Sequence, residues 1–152
     1  MSKFNLSIKN ELYQTLKDAE MEVGTKEIAP DKEELNAFCR IINDNIIQYL
    51  EENIFPPGYI MNLSNKVLSK VITKTHPLLQ TSLSGYIHVE SDVEFMNPMS
   101  MDKNYIIKVE SSTPIEKEGN KASYYSVIFR ITISDTESKV YVIDNHHFFF
   151  RL

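Results

Sequence analysis

The spacing of apolar residues changes once along this chain, and that change limits the folds open to it. From Tyr86 onward apolar residues recur at every second position, the period of a strand with one buried face. Ile87, Val89, Val93 and Phe95 mark a first strand, and Tyr105, Ile107 and Val109 a second. Tyr125, Val127, Phe129, Ile131 and Ile133 mark a long third. Val140, Val142, Phe148 and Phe150 mark a fourth, with a bend expected near Asp144-Asn145. Turns are expected at Lys117-Glu118-Gly119-Asn120 and from Ser134 to Ser138. The later strands are too close together for crossover helices, so the sheet must be antiparallel.

Before the sheet, the period is helical. Ile8, Leu12 and Leu16 share one face of a helix from Ser7 to Ala19, with Ser7 as its N-cap. A short extended piece follows from Val23 to Ile28. Pro30 and Asp31 then open a second helix, with Glu34 in the capping-box position and Leu35, Phe38, Cys39, Ile42 and Ile46 along its apolar face. Cys39 on that face is expected to be a small buried hydrophobe rather than a nucleophile. Phe55-Pro56-Pro57-Gly58 interrupts the chain, and Ile60, Leu63, Val67 and Val71 predict a further helix ending near Thr73. Lys74 to Gly85 is expected to be a loop, with His76-Pro77 as a surface turn. Helices first and strands later make an α+β domain. An apolar helix ahead of a long antiparallel sheet invites the sheet to wrap around it, with Leu63 and Val67 buried.

Length and charge narrow the function classes. The chain has 152 residues, consistent with one domain spanning 1–152, with residues 1–21 as an N-terminal helical extension. A net charge of −5 argues against a nucleic-acid partner, which needs a basic face. Lys66, Lys70 and Lys74 form a stripe best explained as a solvated helix face, although it could also meet the anionic tail of a ligand. With Cys39 as the only cysteine, an intrachain disulfide and a cysteine-based zinc cluster are excluded. No apolar run approaches a membrane span, and the first residues do not resemble a secretory leader. A cytoplasmic protein without a membrane partner is therefore expected, so the glycosylation-type triplets at Asn5 and Asn62 carry no weight.

Catalytic motifs are sparse. There is no Gly-rich phosphate loop, nucleophile elbow or His-Glu-x-x-His pair. Strand alternation sends His146 and His147 to opposite faces, so they cannot readily share a metal, and surface or interface roles are expected. His88 is expected on the face opposite Ile87 and Val89, together with Glu90, as a hydrogen-bonded structural residue.

Several segments carry a family resemblance. Asp31-Lys-Glu-Glu-Leu-Asn-Ala-Phe38, Phe55-Pro-Pro-Gly-Tyr59, Gly85 through Asn97-Pro98, and Val140 through Arg151 resemble the MaoC-like hydratases and dehydratases, and in particular their N-terminal, non-catalytic type of domain. This resemblance implies a hotdog fold, a long antiparallel sheet around a central helix, and an acyl thioester of coenzyme A or a carrier protein as ligand, with no further cofactor and no metal. It also implies two hotdog sheets joined edge to edge, as a homodimer or with another subunit. The family's Asp and its His five positions later fall on Asn43 and Gln48. Shifting the alignment to Asp44 still supplies no histidine. Amides hold water or a carbonyl well but do not exchange protons near neutral pH. The resemblance thus implies a lyase-type, fatty-acid-related domain without the usual dyad, with Gly58 and Tyr59 as substrate-binding positions. A thioesterase or hydratase using Asp44 with His88, and a non-enzymatic acyl-binding module, are the alternatives. Phe148, Phe149 and Phe150 place aromatic groups on both faces of the last strand. One face needs a cover, either the helix carrying Leu12 and Leu16 or a second subunit.

Overall fold

A computed structural model describes residues 6–19, 24–29, 31–42, 44–80 and 85–152. Pro30 and Asn43 lie outside the described residues, as does Val23. Among the described residues, four helices, α1 (Leu6–Lys17), α2 (Lys32–Ile41), α3 (Ile46–Glu52) and α4 (Pro57–Gln80), accompany six strands. These are β1 (Lys26–Ile28), β2 (Tyr86–Phe95), β3 (Tyr105–Ser111), β4 (Ile115–Glu118), β5 (Ser123–Asp135) and β6 (Val140–Arg151). The strands form one antiparallel sheet in the order β1-β3-β5-β6-β2, with β4 also paired to β5.

Alternation sorts the sheet into an apolar inner face and a mixed outer face. On β5 the inner row is Tyr125, Val127, Phe129, Ile131 and Ile133, all buried. Their partners across β6 are Phe150, Phe148, His146, Asp144 and Val142. On the other side of β5, Ile131 and Ile133 pair with Val109 and Ile107 of β3. The central helix α4 contributes Ile60, Val67, Leu68, Val71 and Leu79 to the same core. Leu12, Leu16 and Ala19 join that cluster, so the N-terminal helix is part of the packing against α4. The stripe Lys66, Lys70 and Lys74 is exposed, and Lys66 makes an ion pair with Glu34 of α2.

Five local expectations change. The second helix ends at Ile41, with Ile42 47% exposed and Ile46 opening α3, where one apolar face was expected to carry both. The central helix extends through His76-Pro77 to Gln80, where a loop was expected. Pro77 removes one intrahelical bond, to the Thr73 carbonyl, but Leu79 is buried one residue after Leu78 and holds the last turn against the core. Leu63 is only half-buried, while Val67 is buried as expected. Lys117 and Glu118 belong to strand β4, paired with Tyr124 and Ser123, and the turn moves to residues 119–122. There the Gly119 N–H donates to the Ala122 carbonyl at 3.1 Å. A Cβ on Gly119 would stand 2.9 Å from that same oxygen, so the tight return requires glycine. Finally, β6 crosses Asp144-Asn145 without interruption, because both residues are paired on each side.

Asp135 closes the β5–β6 turn. Its Oδ1 accepts the N–H groups of Glu137 and Lys139 at 3.0 Å each, and its Oδ2 accepts the Tyr141 hydroxyl at 3.0 Å. Burial pushes this carboxyl up, but those donors and the Lys103 ammonium outweigh it and hold the pKa below the ordinary value. A depressed folded-state pKa stabilises the protein above the unfolded-state value, and that contribution disappears as pH falls through the folded one. Asp135→Asn should therefore flatten the acid-unfolding profile below about pH 4, measured by circular dichroism. In the core, Leu68→Ala should cost about 2–4 kcal/mol in denaturant unfolding, and Leu63→Ala less than half of that.

Candidate functional site at the β6–β2 seam

The edge strand β2 carries a bulge that decides which of its side chains face inward. His88 pairs with Phe148, but Glu90 pairs with His147, which leaves Val89 as an extra residue. Cross-strand partners share a face, so His88 stands on the inner face with Phe148 while Glu90 turns outward with His147. The expected grouping of His88 with Glu90 fails for this reason. After the bulge, Ser91 and Val93 return to the inner face, opposite His146 and Asp144.

Three of these residues form a polar line through an apolar surface. Asp144 is 1% exposed and His146 2% exposed. His146 is therefore a core residue, where a surface or interface role was expected. On the inner face, Asp144 lies between Ile131 and Val93, and His146 between Phe129 and Ser91. The His146 Nε2 is 3.0 Å from Asp144 Oδ2. Neither Asp144 oxygen nor His146 Nε2 makes a well-directed hydrogen bond. The contact is thus a close electrostatic one, without the alignment of a full hydrogen bond. The other ring nitrogen, Nδ1, lies 3.2 Å from His88 Nε2. His88 itself is exposed and stacks on Phe148 with centroids 4.5 Å apart. His147 points the other way, with its Nε2 2.8 Å from the Ser126 hydroxyl.

Between the His146 and His88 rings one nitrogen donates and the other accepts, according to tautomer. The arrangement sets the buried Asp144 and the exposed His88 on either side of one intervening ring.

The residues singled out from the sequence are spread over other elements. Asp44 is exposed between α2 and α3; its Oδ1 accepts the Asn45 N–H at 2.7 Å and its Oδ2 the Tyr49 hydroxyl at 2.8 Å. That hydrogen bond, with burial, pushes the Tyr49 phenol up. Gln48 is exposed on α3 and donates to Glu52 at 3.1 Å. Gly58 is exposed in the first turn of α4, where a Cβ would come within 3.2 Å of the Phe38 ring. Tyr59 is buried between Phe38 and Phe55, and burial raises its pKa. His88 has His146 as its polar partner, whereas Asp44 is engaged with Asn45 and Tyr49. The sequence reading placed Asp144 at a bend and His146 at a surface or interface, although both interrupt an otherwise apolar inner row. That interruption, two polar residues at alternate positions of a core strand, was the available signal.

On the outer face, an open cleft of about 490 Å³ lies beside the start of β2, floored by Tyr124 and Phe149 and flanked by Lys121 and Arg151. No helix among the described residues is long and apolar enough to cross a membrane, and no metal-binding cluster occurs among them.

Solved structures share this architecture. One chain of the ChsH1–ChsH2 complex from Mycobacterium tuberculosis aligns with a TM-score of 0.61 at 10% identity, covering 93% of this chain and 91% of that one. The C-terminally truncated HadBC (3R-hydroxyacyl-ACP dehydratase) complex from the same organism aligns with a TM-score of 0.57 at 10% identity, covering 82% and 90%. The chain has the hotdog fold. A 1,4-dihydroxy-2-naphthoyl-CoA thioesterase from Synechocystis, Slr0204, also aligns, with a TM-score of 0.52 at 9% identity and coverages of 83% and 80%. No family model and no curated protein matches the sequence. The hotdog neighbours thus include both a thioesterase and a dehydratase.

Cys39 lies in this hotdog core at 1% exposure, and burial, with the nearby Asp44 charge, pushes its thiol up. Its reaction with a water-soluble disulfide reagent should be slow in the native protein and rise steeply on unfolding in urea, as followed by absorbance.

Proposed function

We propose that this chain is an acyl-thioester-binding hotdog domain of the MaoC-like hydratase/dehydratase type, working edge to edge with a second hotdog subunit. The observation that carries the pairing is β2. It is a ten-residue strand at the edge of the sheet, with Tyr86 42%, Ile87 66%, Val89 46% and Phe95 41% exposed. A long apolar edge with unpaired backbone groups is a template for another strand. Two of the structural neighbours are themselves complexes, by their names HadBC and ChsH1–ChsH2.

The fold shared with a CoA thioesterase and an ACP dehydratase supports a coenzyme A or carrier-protein thioester as the proposed ligand, with no other cofactor. Gly58, exposed at the start of α4, supports the binding role. The first backbone N–H groups of a helix and the positive end of its dipole favour a carbonyl oxygen. At the positions of the usual dyad, the described Gln48 is an amide already donating to Glu52. Hydration of an enoyl thioester needs both a base and an acid, so the pair is supplied by the second subunit.

Association is tested by light scattering. A dimer, alone or with a catalytic hotdog subunit, is expected, and Ile87→Lys combined with Val89→Lys should weaken it. A monomer from micromolar to near-millimolar concentration that no such subunit engages would overturn the pairing. Binding is tested by thermal melting with acyl-CoA, where ligand at 100 times its Kd adds about 2.7 kcal/mol of stability. Hydration of enoyl-CoA by the isolated chain should stay far below the usual enzyme range of about 1–1000 per second.

A further inference from the structure

We infer that the open cleft at the start of β2 binds a planar aromatic ring carrying a phosphate group, the chemistry of a mononucleotide. The cleft lies on the outer face of the sheet, away from α4 and Gly58. It is thus a second site, and it does not depend on the acyl-thioester reading.

Strand register builds the cleft. Cross-strand partners share a face, and Tyr124 pairs with Arg151 while Ser126 pairs with Phe149. Phe149 in turn pairs with Ile87 of β2. These residues stand on the face opposite the inner row that carries Tyr125, Phe150 and Tyr86. Beside Arg151 lies Gly85, whose carbonyl accepts the Arg151 N–H at 2.9 Å. By alternation from Tyr86, a side chain at this position would stand on the outer face. A Cβ added there would meet no atom within 4 Å. Glycine thus leaves space at the rim of the cleft, whose volume of about 490 Å³ falls in the usual small-molecule range of about 300–1,000 Å³.

The floor suits a flat ring. Tyr124 and Phe149 are half-buried, with ring centroids 4.5 Å apart and planes 38° apart. His147 stands edge-on to Phe149, with centroids 4.9 Å apart and planes at 89°. The His147 Nε2 is in turn 2.8 Å from the Ser126 hydroxyl, which fixes the imidazole. Two supported aromatic groups beside an exposed Ile87 offer a stacking surface that any planar ring can use.

Charge selects the substituent on that ring. Tyr124 pairs with Lys117 on one side and Arg151 on the other, so one row across the sheet reads Lys117, Tyr124, Arg151. Lys121 lines the cleft from the adjoining turn. All three cations are exposed, and none makes an ion pair among the described residues. Carboxylates are sorted away from them. Glu116 and Glu118 have the opposite parity on β4, and Glu116 pairs with Lys9 of α1 at 2.6 Å. Glu90, opposite His147, is the first outer-face carboxylate along β2. In a chain of net charge −5, three such cations around one aromatic floor favour a dianion over a single carboxylate. The Arg151 guanidinium can meet two phosphate oxygens at once. A partner strand on β2 would pair in the plane of the sheet and leave this face open.

The test is isothermal titration of the full chain, at low ionic strength, with AMP, adenosine, benzoate and inorganic phosphate. AMP should bind, the other three about 10-fold or more weaker, and AMP affinity should fall as salt is added. Tyr124→Ala and Arg151→Gln should each weaken AMP about 10-fold. Gly85→Leu fills the cleft and should abolish binding. Arg130→Gln, on the outer face of β5 opposite Asn145, should leave it unchanged. Because Arg151 is exposed, its variant folds even if Gly85→Leu does not. No AMP binding up to about millimolar concentration, or binding that neither Tyr124→Ala nor Arg151→Gln weakens, overturns the inference. Adenosine, benzoate or phosphate binding as tightly as AMP also overturns it, since each lacks part of the proposed chemistry. AMP carries no acyl thioester, so each of these outcomes leaves the thioester reading untouched.

Discussion

The pairing of β5 with β6 is the constraint on which the rest of this molecule depends. Partners run from Tyr124 with Arg151 to Ser134 with Val140. Because side chains alternate, this register places Phe150, Phe148 and Val142 against α4 and sends Phe149 and His147 outward. A slip of one residue would reverse both faces and expose the entire apolar row. Asp144 and His146 occupy the same inward parity as Val142 and Phe148. Their burial is thus a consequence of the register that builds the core. They cannot be moved to solvent without dismantling it.

That coupling of core and polar pair has an energetic side. Removing His146 alone would leave Asp144 as a buried charge without its neighbour, whereas replacing both by apolar residues could be close to neutral. Such asymmetry distinguishes a retained polar pair from one needed for folding. By contrast, the Asp44 and Gln48 region is tied up locally: Asp44 by Asn45 and Tyr49, Gln48 by Glu52. Exposed, self-satisfied side chains of this kind are poorly poised for proton transfer.

The two edges of the sheet are also unequal. β1 is three residues long, paired to β3 from Lys26 to Ile28. β2 is ten residues long, with large apolar groups exposed on both faces. Its bulge at Val89 increases local twist and re-aims the chain, so that His88 and Ser91 share a face although they are three residues apart. The exposed pairing edge and the His88–His146 contact therefore meet on one strand.

The amino-acid sequence by itself determined the α+β class, the antiparallel sheet and the central helix, because periods of two and 3.6 report which faces are buried. It also determined the separation of His146 from His147. Burial of Leu79 carried α4 beyond Pro77, and the contact between Gly119 and Ala122 shifted a turn and created β4. Each depends on a partner that local spacing does not reveal. The same holds for the candidate site. Asp144 and His146 lie two residues apart on β6, but His88 is 58 positions away from His146 and reaches it only through the β2–β6 register and its bulge. Local periodicity can say that a residue points inward. Only the tertiary pairing of strands decides which distant residue it meets there.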